Sequence, residues 1–285
     1  MLSAVVVALL SAVCYAVSAV LQQRQAARQD RGGAALVLRL ACQPLWWVAV
    51  AATICGALLH ALALTLGPLS VVEPPGVTTL AFALPLGALL TRRSVRRVEW
   101  LAAGAVMLGV GTVVAVAPAQ TLVTHLELDR LCAQVGGTAG VVLALLVLAW
   151  FVRGRMVAVL RAVGAAICFG TAASTARVTF TGLVALPIGA MVMVIAAVGG
   201  FVIAQLAYRE GGLGPPLATL ILVDPLVGVV SGAMLLDQPL VGGAVDAAVG
   251  LLGLAVTVLG IWTLARLPVL AVGTPEVKTA STVDS

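Results

Sequence analysis

The stretch "LSAVVVALLSAVCYAVSAVLQ", residues 2–22, contains no charged side chain. A helix rises about 1.5 Å per residue, so this segment is long enough to cross the roughly 30 Å of hydrocarbon in a bilayer. The rest of the chain has the same character: 62% of it is hydrophobic and 9% is charged, against about 25% charged residues in a soluble domain. The sequence therefore predicts an all-α polytopic membrane protein.

A secretory signal peptide is the alternative interpretation of residues 2–22. The segment has no basic residues before its apolar run, and that run is longer than the apolar region of a typical signal peptide. We therefore expect a retained membrane-spanning helix.

Nine segments are apolar and long enough to cross a bilayer. Residues 34–44 are also apolar, but this segment is short, contains Arg39 and ends at Pro44. It is expected to be an interfacial helix, with a tenth span as the open alternative. The predicted spans are 2–22, 45–66, 69–91, 98–118, 135–152, 157–180, 184–208, 213–236 and 240–266.

The distribution of basic residues predicts the orientation, because cytoplasmic loops are enriched in Lys and Arg. With the N-terminus outside, all but Arg130 and Arg177 of the 16 Lys and Arg residues fall on the cytoplasmic side, together with the C-terminus. We therefore expect a multi-pass protein of the cell membrane. The net charge of +5 then reflects topology and contact with anionic lipid. Nucleic acid is not an expected partner, since no basic stretch is interleaved with stacking aromatic residues.

Segments of the first half recur in the second half in the same order. The matches are "SAVCYAVSAV" (11–20) with "GAAICFGTAAS" (164–174), "HALALTLG" (60–67) with "AQLAYREG" (204–211), "LGPLSVVEPP" (66–75) with "LGPPLATLILVDPL" (213–226), and "MLGVGTVV" (107–114) with "LLGLAVTV" (251–258).

Matching spans are five spans apart, because span 135–152 has no counterpart, so the two halves are predicted to cross the membrane in opposite directions. The expected organisation is a first transmembrane repeat at 1–118, an outer loop and connecting helix at 119–156, a second repeat at 157–266 and a disordered cytoplasmic tail at 267–285. Inverted repeats are typical of secondary transporters. A duplication kept only for packing is the alternative.

The segments "HALALTLGPLSVVEPPGVTTLAFALPLGALLTRRSVRRVEWLAAGAVMLGVG" (60–111) and "AQLAYREGGLGPPLATLILVDPLVGVVSGAMLLDQPL" (204–240) resemble the two halves of EamA-like proteins in the drug/metabolite transporter (DMT) superfamily. "LQQR" at 21–24 and the Trp-led second span are similar to the NIPA-type magnesium transporters of that superfamily. The resemblance implies two inverted repeats and transport across a membrane. EamA-like proteins have ten spans, one more than predicted here, and the motifs leave the substrate open.

Two acidic residues within predicted spans directly precede prolines: Glu73 before Pro74 and Pro75, and Asp224 before Pro225. A carboxylate in hydrocarbon is costly, and a proline leaves a helix carbonyl without its donor. Together they predict a polar patch at a helix break that binds substrate, protons or a cation. The alternative is that each acid pairs with a polar neighbour and only specifies packing.

Other polar residues of the spans are weaker candidates. His60 could relay protons or simply be a packing histidine, and Gln205 and Tyr208 are predicted to contact substrate. Arg177 and Asp246 are predicted to form an outer gate, with a topological anchor as the alternative for Arg177.

Some residues of the spans have a structural rather than a functional interpretation. On the matching first and sixth spans, Thr171 and Ser174 are expected to bond their own backbone, and Tyr15 is rated low with them. The small residues Ala105 and Gly109, and Gly250 and Gly253, predict close helix contacts, either inside the scaffold or in a homodimer.

No H-E-x-x-H, G-x-S-x-G or P-loop motif is found, so an enzyme, a cofactor and a resident metal are not expected. The leading hypothesis is a secondary transporter that moves a small organic solute, with export as the expected direction and proton coupling as a further hypothesis. The alternative is a magnesium pathway with Glu73 and Asp224 as ligands, which the small number of intramembrane acids disfavours. A non-transporting accessory protein is a third possibility.

Overall fold

A computed structural model describes residues 2–29, 34–66, 77–92, 94–116, 128–180, 184–236 and 243–267. Within these ranges the chain forms helices and short connections, and no strand. The ten helices are α1 (Leu2–Ala27), α2 (Ala34–Ala41), α3 (Pro44–Leu66), α4 (Thr79–Leu90), α5 (Arg97–Val116), α6 (Leu128–Phe151), α7 (Met156–Phe180), α8 (Leu186–Gly211), α9 (Gly214–Leu236) and α10 (Ala244–Arg266).

In the described part of the chain, eight helices are long and apolar enough to cross a membrane, which confirms the all-α polytopic class. They correspond to eight of the nine predicted spans. The remaining span, predicted at 69–91, is represented by α4, which has 12 residues, while residues 67–76 lie outside the described residues. The ninth span therefore stays a prediction. Helix α2, at 8 residues, is too short to cross, as expected for segment 34–44.

One end of the helix bundle gathers arginines that bind the ends of neighbouring helices. The Nε atom of Arg209 donates to the carbonyl oxygen of Gln29, 3.1 Å away and just beyond α1. Arg155 donates to the carbonyls at the end of α10, which have no donor within their own helix. Arg161 of α7 forms an ion pair with Glu210 of α8. We call this the basic end, defined by Arg155, Arg161 and Arg209.

The opposite end of the bundle is held by apolar contacts. Ala4 and Ala8 of α1 pack on Ala63 of α3, and Leu131 of α6 packs with Val178 of α7. Helix α1 begins where α3 ends, and α6 begins where α7 ends, so these neighbours run antiparallel. The enrichment of basic residues in cytoplasmic loops predicts that the basic end is cytoplasmic.

Two exposed cysteines can test this orientation. Cys42 lies between α2 and α3 at the basic end, and Cys132 lies in the first turns of α6 at the other end. In variants that keep only one of them, a membrane-impermeant maleimide added to intact cells is expected to label Cys132 and not Cys42. Both should react after detergent lysis. Labelling of Cys42 alone in intact cells would reverse the predicted orientation.

Glycines bring α5 and α10 into close contact. A Cβ added at Gly260 would lie 2.8 Å from the carbonyl oxygen of Ala102, and one added at Gly253 would lie 2.8 Å from that of Gly109. Helices in a membrane gain little from burying apolar surface, so close backbone approach of this kind is a main source of their association. The small faces at Gly109 and Gly253 therefore pack on each other within one chain. A homodimer stays a prediction.

We expect Gly260→Val to destabilise the protein, because its branched side chain would overlap the α5 backbone. Overpacking of this kind costs about 1–3 kcal/mol. Gly104→Val is the matched control, since no heavy atom lies within 4 Å of a Cβ at Gly104 on α5. The measurement is the midpoint of thermal unfolding in detergent, followed by size-exclusion chromatography. Equal midpoints for the two variants would contradict the close α5–α10 contact.

Helices α1 and α7 form the middle of the bundle. In the apolar stretch of α1, 44% of the residues are buried inside the protein, and in that of α7 50% are. The corresponding share is 17% for α3, α6 and α8. Helix α1 packs on α3, α4 and α8, and α7 packs on α6, α8 and α9, while α5 packs mainly on α10. Polar side chains of α1 and α7 therefore meet other helices rather than lipid.

Candidate functional site

The side chains of Tyr15 on α1 and His60 on α3 lie within electrostatic range of Asp224 on α9, near mid-depth, and we call these three ionisable residues the central site. The carboxylate of Asp224 is near enough to the Tyr15 hydroxyl and to the His60 imidazole for its charge to act on both. The Tyr15 ring packs on Gly56, one helical turn before His60, where an added Cβ would lie 3.2 Å from the ring. The close contact of α1 with α3 thus places Tyr15 beside His60.

The central site joins two residues predicted as functional with one that was not. His60 and Asp224 were selected because they are ionisable residues within spans, and the structure brings them together. Tyr15 was rated low together with Thr171 and Ser174, and nothing in the sequence indicated that it lies near His60 and Asp224. Asp224 is exposed, while Tyr15 and His60 are partly buried. A carboxylate and an imidazole are the side chains that most often carry protons within membrane spans.

Helix α9 continues through Pro225, directly after the acid. The proline has no amide hydrogen, so the carbonyl of Ile221, one turn earlier, lacks its helical donor. Helix α4 also contains a proline, Pro85, which was not among the predicted helix breaks. The similar segments "ALPLG" (83–87) and "VDPLVG" (223–228) could have indicated that α4 contains a proline at the position that matches Pro225.

A second polar cluster lies nearer the basic end, and we call it the amide network: Ser18, Gln22, Thr53 and Gln205. The Nε2 atom of Gln205 donates to Oε1 of Gln22 at 2.6 Å, and Nε2 of Gln22 donates to the hydroxyls of Ser18 and Thr53 at 2.7 and 3.1 Å. Ser18 and Thr53 share a hydrogen bond of 2.6 Å. The network joins α1, α3 and α8.

Gln205 and Tyr208 are not part of the central site. Gln22 follows Tyr15 by seven residues on α1, which places the amide network about 10 Å nearer the basic end. Gln205 is fully buried, and Tyr208 packs within the main apolar core. Substrate contact was predicted for Gln205, whereas its partner Gln22 was not predicted to have a role. The feature of the sequence that could have indicated Gln22 is an uncharged amide at the end of an apolar span.

The predicted outer gate and the first acid–proline group cannot be placed. Glu73, Pro74 and Pro75 lie outside the described residues. Arg177 is in α7, but its side chain is outside what the structure describes, and Asp246 is partly buried in the first turn of α10. A gate formed by Arg177 and Asp246 stays a prediction.

The described ranges hold no cluster of three or more His, Cys, Asp or Glu side chains suited to a metal ion. Glu73, which the magnesium hypothesis pairs with Asp224, is outside those ranges. The central site offers one carboxylate and one imidazole, which is a donor set suited to proton exchange and to polar solutes.

We expect Gln22 and Gln205 to stabilise the fold through each other. Each single change, Gln22→Leu or Gln205→Leu, leaves an amide without its partner, whereas the double variant removes both. Interhelical hydrogen bonds in membranes contribute about 0.6 kcal/mol on average and at most about 1.7. The coupling energy from a double-mutant cycle of unfolding in detergent should fall in that range. Strictly additive effects would contradict the contact.

Comparison with known proteins gives one informative similarity. The chain is 25% identical over 247 residues to an uncharacterised protein of Corynebacterium glutamicum, a match that covers 83% of this chain and 86% of the relative. No protein-family profile and no solved structure matches the chain. The similarity extends over most of both proteins, so they are alike as whole chains rather than through a shared segment.

Proposed function

We propose that this protein is a secondary transporter of the DMT type that exports a small organic solute by alternating access. The central site is the observation that carries this proposal. Ionisable residues within membrane spans are expensive to maintain and mark substrate or proton pathways. Here the charge of Asp224 acts on His60 and Tyr15 near mid-depth, where a transporter binds its substrate.

The packing of the helices supports an organisation in two inverted repeats. Helix α1 packs on α3 and α4, and α7, which carries the matching segment, packs on α8 and α9. Helices α1 and α7 are also the most buried of the spans. Equivalent helices therefore have equivalent neighbours, as two related halves require. Such halves can exchange conformations and so open a shared site to each side of the membrane in turn.

The composition of the central site supports proton exchange as the coupling step. Tyr15 and His60 belong to the proposed first repeat, and Asp224 belongs to the second. A movement of one repeat against the other would change the distance between the acid and the imidazole. The proton affinity of each group depends on the charge of the other, so the movement would take up or release a proton.

One observation favours the magnesium alternative. Asp224 follows Ile221 by three residues on α9, and Pro225 leaves the carbonyl of Ile221 without a helical donor. Magnesium prefers such oxygen ligands and keeps several waters of its own. Glu73 would be the second acidic ligand in this alternative. A non-transporting accessory protein needs no such groups.

Transport assays in proteoliposomes test the proposal. Under an imposed pH gradient, a panel of organic cations, amino acids and neutral metabolites is offered to the wild type and to Asp224→Asn. We expect movement of at least one solute, reduced at least about tenfold in the variant, a factor equal to about 1.4 kcal/mol. Asp129→Asn is the matched control, because Asp129 is an exposed acid in the first turn of α6.

Magnesium flux is measured with the same vesicles. Saturable flux that is lost in both Asp224→Asn and Glu73→Gln would replace the organic-solute proposal with the magnesium alternative. Folded protein that moves neither magnesium nor any solute would contradict the transporter proposal. That result would favour the accessory protein.

A further inference from the structure

Two thiols from neighbouring helices contact each other near the middle of the bundle. The thiol of Cys14 on α1 donates to the sulfur of Cys55 on α3, and the two Sγ atoms are 3.9 Å apart. Both cysteines are free, and each lies near the middle of its helix. We call Cys14 and Cys55 the dithiol pair.

Hydrogen bonds between α1 and α3 hold the dithiol pair from both sides. Toward one end of the bundle, Ser11 donates to the carbonyl of Gly56 at 2.8 Å. Toward the other end, Ser18 donates to the carbonyl of Ala49 at 2.7 Å. Disulfide sulfurs are about 2.0 Å apart, so the two sulfurs must approach by roughly 1.9 Å, which is within reach of side-chain rotation. The helix contact therefore keeps the two thiols close enough to be joined.

The dithiol pair is on a lipid-facing surface. Cys55 is exposed, and Leu58, on the same face of α3, is 66% exposed. Leu10, one turn before Cys14 on α1, is 51% exposed. Exposed leucines at this depth of a membrane-spanning bundle contact acyl chains, so molecules dissolved in the bilayer reach the pair. His60 of the central site is five positions from Cys55, or about 140° around the helix.

The matching helix contact of the second half has one cysteine instead of two. In the aligned segments, Cys14 matches Cys168 of α7. Cys55 matches Gly199 of α8. At the neighbouring Gly200, an added Cβ would lie 2.9 Å from the Cβ of Cys168, so α7 and α8 also pack closely here. Close packing at this position does not require a second thiol, and helix packing therefore does not explain the dithiol pair.

The apolar surroundings determine which oxidants can react with the dithiol pair. The thiolate is the form of cysteine that reacts as a nucleophile, and hydrocarbon disfavours ionised groups. A neutral thiol can instead give up its S–H hydrogen as an atom, a step that creates no charge. Peroxyl radicals form within lipid during the oxidation of acyl chains, and they accept hydrogen atoms. The pair is therefore suited to a radical oxidant of the bilayer.

We propose that lipid peroxyl radicals oxidise the dithiol pair to a disulfide between Cys14 and Cys55. Each S–H bond breaks homolytically, and its hydrogen atom passes to the terminal oxygen of one peroxyl radical, which becomes a hydroperoxide. The two sulfur radicals then combine to form the S–S bond. Two thiols and two peroxyl radicals thus give one disulfide and two hydroperoxides. This reaction does not depend on transport by the protein.

Oxidation of the full chain in nanodiscs of saturated phosphatidylcholine tests the proposal. An azo initiator that dissolves in the bilayer generates peroxyl radicals in air, and a water-soluble azo initiator with the same radical flux is the control. The remaining thiols are alkylated in denaturant, and the peptides are analysed by mass spectrometry. We expect a peptide that links Cys14 to Cys55, formed faster with the lipid-soluble initiator and absent after treatment with dithiothreitol.

A displaced thiol is the matched control for geometry. In the double variant Cys14→Ala/Val13→Cys, the number of cysteines is unchanged, but the thiol of α1 moves about 100° around the helix. Val13 is 38% exposed, so a thiol at this position still meets lipid. This variant is expected to form no link to Cys55. Cys132→Ala, which removes an exposed thiol of α6, should form the link as the wild type does.

Three results would overturn the proposal. One is wild-type protein whose Cys14 and Cys55 remain free thiols after the radical treatment. Another is oxidation of either residue to a sulfinic or sulfonic acid without a link. The third is a link that forms as fast with the water-soluble initiator or in the displaced-thiol variant. If that variant does not fold, the comparison of the two initiators on the wild type still decides.

Discussion

The interior of a bilayer supplies no hydrogen-bond partners, and this constraint underlies most of the structure. It requires that backbone amides bond within helices. Small polar side chains meet it by bonding back to their own helix, as Thr219 does to the carbonyl of Pro215 and Thr257 to that of Gly253, each at 2.8 Å. Glutamine carries both a donor group and an acceptor, so the buried Gln22, Gln134 and Gln205 reach across to other helices.

The cross-helix contacts occur at different depths and join different helices. The amide network and the Arg209 contact tie α1 to α8 near the basic end, whereas Gln134 ties α6 to α7 and α9. The ionisable groups of the central site lie between these two clusters along the membrane normal. The contacts of Gln205 and Arg209 hold α1 against α8 between the central site and the basic end.

Close packing of helix backbones stabilises the bundle in addition to the polar contacts. Because lipid is as apolar as leucine, helices gain from backbone approach and not from leaving water. The contact of α5 with α10 through Gly109, Gly253 and Gly260 is of this kind. These two helices carry large exposed apolar side chains on their other faces, such as Leu108 and Leu252. The pair can therefore serve as a scaffold that leaves α1, α7 and α9 to carry polar groups.

The class of the protein and nearly all of the described helices follow from hydropathy along the chain, because hydropathy is a sum over consecutive residues. The segment predicted at 213–236 is the helix Gly214–Leu236, and the short segment at 34–44 contains the helix Ala34–Ala41. His60 and Asp224 could be selected for the same local reason, since each is ionisable within an apolar run.

The choice of partners among the polar groups depends on tertiary packing. Nothing local indicated that Tyr15 would join His60 and Asp224, that Gln22 would bond to Gln205 across 183 positions of chain, or that Gln134 would bond to α7 and α9. These contacts depend on the rotation of each helix about its axis and on the choice of neighbours. Both are set by the packing of all helices together, and no single segment of sequence specifies that packing.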